Sequence, residues 1–227
     1  MPAPVLAGAV SFFHCGRYDA FMFDLNTDEM RALRRMNTPV KIQDFLETLP
    51  YSFDHGNDML RSPRRVLREC TAHCIEGALL AAAALWMNGS RPLLLDVRST
   101  PDDLDHVVTL FRAHGCWGAL SKTNHAVLRF REPVYRTVRE LAMSYFHEYF
   151  LDDGCKTMRD YSDPFDVGRR FGHAWLTTED DLWHIAETLD TSRHRPVLNA
   201  PQMRALRRAD PVEIAAGKLM VHQKPRR

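Results

Sequence analysis

A chain of 227 residues is long enough for one domain with its own core, and 45% hydrophobic with 26% charged residues is the balance of a soluble globular protein. A net charge of +1 removes the electrostatic case for a nucleic-acid or anionic-membrane partner. Five cysteines, at 15, 70, 74, 116 and 155, are odd in number and lack framework or zinc spacing, so a disulfide scaffold is excluded and a reducing, cytoplasmic setting is expected.

Residues 1–25 carry Phe12, Phe13, Tyr18, Phe21 and Phe23 and read as one or two short strands. The apolar start lacks the basic region and cleavage site of a secretory signal. Asn26-Thr-Asp-Glu29 pairs a cap residue with an acid three positions on, opening a helix through Met36. Thr38-Pro39 opens another, with Val40, Ile42, Phe45, Leu46 and Leu49 as its apolar stripe, and Ser62-Pro63 a third with Val66 and Leu67. Tyr51 to Asn57 reads as a loop.

Cys74-Ile-Glu-Gly-Ala-Leu-Leu-Ala-Ala-Ala-Ala-Leu-Trp86 is apolar on nearly every side, with one charge at Glu76, and belongs inside a domain. At roughly 21 Å, closed by Asn88-Gly89, it is a core helix and too short for a membrane span. Cys74 sits in its first turn, where unpaired amides and the helix dipole favour a thiolate.

Pro92 to Val97 is a buried-strand run, and Asp105 to Arg112 with Cys116 to Leu120 reads as a hairpin turning at Ala113-His-Gly115. A further strand is expected over His125–Arg131. Thr137 and Glu140 form a capping box for a helix through Phe150, with Leu141, Ala142, Tyr145, Phe146 and Tyr149 inward. Residues 152–172 read as a polar loop. Thr178-Glu-Asp-Asp181 opens a helix through Leu189, and Pro201–Arg208 and Pro211–Met220 are short surface helices. The Met-Arg-Ala-Leu-Arg-Arg run at 30 recurs at 203 with unlike flanks, so it marks two basic helices and not a fold repeat.

Nothing calls for a cofactor or metal. There is no phosphate loop, serine elbow or zinc-binding helix, and the histidines outside the central region show no paired ligand spacing. Arg129 and Arg131 could meet a substrate carboxylate or form a strand's solvent face, and Asp163-Pro-Phe-Asp166 reads as a turn.

The order of the middle segment is a thiol heading a buried helix, a strand, a histidine heading the next strand, then a third strand. Over residues 45–130 this order, with Ser62-Pro63, Cys74, Asp105-His106 and Cys116-Trp-Gly-Ala-Leu-Ser121, resembles the transglutaminase-like superfamily. The resemblance implies an α+β, papain-like fold. Its central buried helix packs on an antiparallel sheet and further helices follow at the C-terminus, in a single domain over 1–227 with a core at about 38–150. It implies Cys74 as nucleophile and His106 as base, in a hydrolase or acyl transferase acting on a peptide or protein amide through an acyl-thioester. Ser121 stands where the family carries an orienting acid, with Asn124 three residues on, and Ala72 stands where it carries a glycine. The alternative function is an inactive domain that binds a peptide or protein partner in the same cleft.

Overall fold

The first helices begin where side chains can satisfy their free amides. In the computed structural model, which describes residues 23–53 and 59–222, helix α1 spans Thr27–Arg35. Asn26 Oδ1 accepts from the amides of Asp28 and Glu29, and Glu29 returns the bond to Asn26 N–H at 2.8 Å. Thr38 caps α2 (Pro39–Thr48) and Ser62 caps α3 (Pro63–Glu69), each with proline in the first turn. The strands expected before Phe23 lie outside the described residues. On α2 the apolar stripe is narrower than the sequence suggests: Val40 is exposed, while Gln43 is buried because its amide pairs with the backbone of Ser121.

Helix α4 (Cys74–Met87) is the core. Twelve of its fourteen residues are buried, so it has no solvent face. Its run of alanines lets α1, α2 and α3 approach from one side and the sheet from the other. At its C-terminal end the Asn88 side-chain amide donates to the carbonyls of Leu33, Met36 and Ala84, fastening α1 to α4.

After α4 come β1 (Leu93–Arg98), β2 (His106–Ala113), β3 (Cys116–Leu120), β4 (Arg131–Tyr135), α5 (Val138–Met143), β5 (Asp160–Ser162), β6 (Phe165–Asp166), α6 (Val167–Phe171), α7 (Trp183–Asp190), β7 (His194–Pro196), α8 (Ala200–Arg204) and α9 (Pro211–Gly217). The strands form an antiparallel sheet ordered β4-β3-β2-β1-β5-β7, with β6 also paired to β1. The fold is thus α+β, with a buried helix on an antiparallel sheet.

Strand alternation divides the core in two. Leu94, Val107, Phe111 and Leu120 face α4. Leu95, Val97, Val108, Leu110 and Ala119 face Tyr145, Phe146, Tyr149 and Met158 on the other side.

Several expected elements differ. The strand expected over His125–Arg131 begins only at Arg131, because Leu128 has φ +59° and breaks extended pairing there. The helix expected through Phe150 ends at Met143, followed by a 3₁₀ turn over Phe146–Glu148. Residues 152–172 hold β5, β6 and α6; strands of two or three residues are set by their pairing with β1 and leave no periodic pattern. Thr178 does not open α7, since Asp181 instead accepts from Leu60 N–H and Arg65. The helix starts at Trp183, which is left exposed. The last helix ends at Gly217, and Met220 forms an antiparallel bridge with His125. Among the described residues no helix is long and apolar enough to cross a membrane.

Candidate active site

Cys74 heads α4, half-buried, on a cleft of about 810 Å³ that His106 also lines. As a first-turn residue it contributes one of the helix amides that lack an intrahelical acceptor. Its neighbour Glu76 is wholly buried: it reaches back to His73 N–H at 3.0 Å and accepts from the backbone and guanidinium of Arg61. Gly77 brings the helix so close to the segment after β3 that a β-carbon there would lie 2.4 Å from Lys122 Cβ. Lys122 is buried and donates through Nζ to the carbonyls of Leu46 and Leu49 at the end of α2. The pole of α4 is therefore fixed by α2, by Arg61 at the head of α3 and by the segment that follows β3.

His106 is the first residue of β2, and alternation puts it on the side of Val108 and Leu110, away from α4. Its ring packs edge-on to Tyr145 at 6.4 Å. Nε2 lies 2.8 Å from Ser121 Oγ, and Ser121 Oγ lies 2.5 Å from the Leu128 carbonyl oxygen. A carbonyl can only accept, so the serine proton is committed to Leu128. Ser121 must then accept from Nε2–H, which fixes the tautomer and leaves Nδ1 with the lone pair.

Sequence reasoning missed what holds that carbonyl in place. Leu128 adopts left-handed backbone, its N–H donates to Glu148 at 2.7 Å, and Glu148 pairs with Arg131 at 2.6 Å. The Arg131 guanidinium lies 4.1 Å over the Tyr145 ring. Arg131 is thus engaged inside the protein and Arg129 pairs with Glu47, so neither offers itself to a substrate carboxylate. No local sequence signal marks a leucine for left-handed backbone.

The structure brings His106 and Ser121 together and engages Asn124 elsewhere. Asn124 does not orient the imidazole; its amide accepts from His222 N–H at 2.8 Å and donates to His222 C=O at 2.9 Å. Cys74 and His106 share the cleft with no hydrogen bond between them; the thiol lies against the backbone of Val107, the residue next to His106.

Burial pushes the Cys74 thiol up to about 11; the backbone of Val107 and Ile75 acts the other way, and the Asp96 and Glu76 carboxylates add to the rise. Burial holds the His106 imidazole down at about 4, with the Leu128 backbone opposing and Arg131 and His125 reinforcing. Near neutral pH the resting pair is a thiol and a neutral imidazole, not an ion pair.

One group of carboxylates among the described residues comes close enough to share a cation: Asp96, Asp105 and Asp190, with one oxygen each within 4.8 Å of the others. Each carboxylate has a partner, though Asp96 Oδ1 itself is buried without one. Asp96 pairs with His194 at 3.3 Å, Asp190 with Arg98 at 3.5 Å, and Asp105 accepts from Ser99 N–H and Oγ.

No family model and no curated protein matches this chain. Among solved structures, LapG of Legionella pneumophila is similar in its EGTA-treated form at a TM-score of 0.39 and 12% identity, over 66% of this chain and 82% of that one. A second LapG structure gives 0.33 and 16% identity over 42% of this chain. The match spans 59% of that second protein's length. The likeness is one of fold, and it is weak.

Proposed function

We propose that this protein is a papain-like, transglutaminase-like cysteine enzyme that cleaves or transfers an amide through an acyl-thioester on Cys74. The observation that carries the reading is the oriented imidazole: His106 is held by Ser121 with its basic Nδ1 uncommitted, in the cleft that contains the helix-head thiol. As Cys74 Sγ bonds to the substrate carbonyl carbon, its proton passes to His106 Nδ1. Amides at the head of α4 receive the oxyanion. The imidazolium returns the proton to the departing amine, and water or a second amine then breaks the thioester. Catalytic contacts often tighten only when substrate binds, and the proton transfer needs sulfur and Nδ1 to come within hydrogen-bond reach in that complex.

The competing reading is a binding cleft without turnover. It draws on the thiol held at about 11 and on a hydroxyl standing where a carboxylate would stabilise the imidazolium. A peptidyl vinyl sulfone separates the two. An enzyme labels at Cys74, and His106→Ala abolishes the label while circular dichroism stays native. Labelling that is absent, or indifferent to His106, leaves the binding reading.

A further inference from the structure

The C-terminal arm, residues 209–222, crosses the cleft. On one bank Ala209 N–H donates to Gly154 C=O at 2.9 Å, Gly217 lies against the Phe150 ring, and Lys218 pairs with Asp152 at 3.3 Å. On the other bank the arm adds itself as a short antiparallel strand to residues 124–126. Ala126 N–H donates to Leu219 C=O at 3.0 Å and Val221 N–H to Asn124 C=O at 2.8 Å, around the bridge of His125 with Met220. The Asn124 amide doubles this pairing by bonding both backbone groups of His222, and His125 Nδ1 lies 3.1 Å from Gly217 C=O. Ile214, Gly217 and Lys218 thereby line the same cleft as Cys74 and His106.

Apart from the Lys218–Asp152 ion pair, the bonds that hold the arm are mainly those of its backbone. No residue of α9 is buried, and Val212, Leu219 and Val221 are 75%, 64% and 51% exposed. A segment anchored through main-chain bonds and short of buried apolar area is the kind that opens at low cost. The edge it covers lies three residues past Ser121, on the chain that supports His106. A free main-chain edge is also a standard platform for an extended peptide.

We propose that residues 217–222 are a built-in occupant of a peptide-pairing edge at residues 124–126, so that an extended peptide binds only when the arm leaves. This rests on the proposed amide-directed function and adds to it the conformation of the substrate and a competitor carried in the chain. Lys218 beside Asp152 sets the charge preference, a basic side chain entering the acidic bank formed by Asp152 and Asp153.

The test is binding, made independent of chemistry by a Cys74→Ser background in the full-length chain. The probe is a fluorescent synthetic peptide of residues 216–222, followed by anisotropy. Val221→Pro removes the Val221 donor at an exposed position, and His125→Cys with Met220→Cys locks the bridged pair, whose separation suits a disulfide. Occupancy of the edge by the arm lowers apparent affinity by the fraction of time it is vacant. Val221→Pro should therefore bind the probe roughly tenfold tighter than the parent, and the oxidised lock should lose binding that reductant restores. Equal affinity in parent, Val221→Pro and oxidised lock overturns the proposal, and so does an oxidised lock that binds as well as its reduced form if Val221→Pro fails to fold. Arm-dependent binding without vinyl sulfone labelling of the Cys74 protein sustains this inference while the enzymatic reading alone falls.

Discussion

Ser121 accepts from His106 Nε2 at 2.8 Å while giving its own proton to Leu128 at 2.5 Å. A neutral hydroxyl can therefore do half of what a carboxylate does at this position. It fixes the ring and its tautomer, but it adds no charge to stabilise an imidazolium. Ser121→Ala should replace the single Nε2–H tautomer by a mixture, read from the imidazole nitrogen shifts by NMR. It should also slow vinyl sulfone labelling of Cys74 roughly tenfold to a hundredfold. Unchanged nitrogen shifts would show that the ring is oriented by something other than Ser121.

His106 also makes stability depend on pH. Its folded value of about 4 lies below the ordinary 6.5, so between those values the unfolded chain binds more protons than the folded one. The contribution is whole above 6.5 and is lost as pH falls toward 4, by up to about 3 kcal/mol. Urea unfolding of the parent and of His106→Gln across that window measures it. The parent should weaken more steeply on acidification, and parallel curves would refute the buried neutral imidazole.

Cys74 gives the opposite sign. With the thiol held up at about 11, alkylation by iodoacetamide at that residue should climb about tenfold per pH unit from 7 to 10 without reaching a plateau. A free thiol of ordinary value, about 8.5, flattens before then. Mass spectrometry of the Cys74 peptide separates it from the other cysteines. A plateau below pH 8 would mean that a thiolate is already formed at rest.

Much of this was readable from residue order. The caps at Asn26, Thr38 and Ser62 and the apolar run from Cys74 write their structure locally, because capping and burial depend on neighbours in sequence. The pairing of His106 with Ser121 was implied by the family resemblance, which set Ser121 where an orienting acid usually stands. What was not legible depends on contacts between distant segments. Leu128 is left-handed because Glu148 and Ser121 grip its two backbone groups, and Asn124 is diverted by His222, ninety-eight positions away. The face of β2 on which His106 lies depends on strand register, which spacing in the sequence does not set.

Gly77 tests how tightly the pole of α4 is seated. In an ordinary helix Gly→Ala gains about 1 kcal/mol. Here the new carbon would sit 2.4 Å from Lys122 Cβ, an atom fixed by its own backbone, so the helix and the segment after β3 must part. Overpacking of that kind costs about 1–3 kcal/mol. Gly77→Ala should thus lower the melting temperature, with a net loss of up to about 2 kcal/mol. A stabilised variant would mean that α4 and the segment after β3 have room to spare at this point.

Glu76 is the charge that the buried helix cannot do without. Its carboxylate is fully enclosed and is met by Arg61 N–H at 2.9 Å, by the Arg61 guanidinium at 3.1 Å and by His73 N–H at 3.0 Å. Glu76→Gln keeps the volume but presents a neutral amide to a buried cation. Breaking one partner of a buried pair costs about 3–5 kcal/mol, most of it from the charge left behind. Arg61 retains Glu69 at 2.6 Å, which places the expected loss at the low end of that range. Glu76→Gln with Arg61→Met should recover part of it, because the cation facing the neutral amide is then gone. Denaturant unfolding of the two single variants and the double variant reads the coupling. Strictly additive losses would mean that Glu76 serves as a cap for His73 and not as the counter-charge of Arg61.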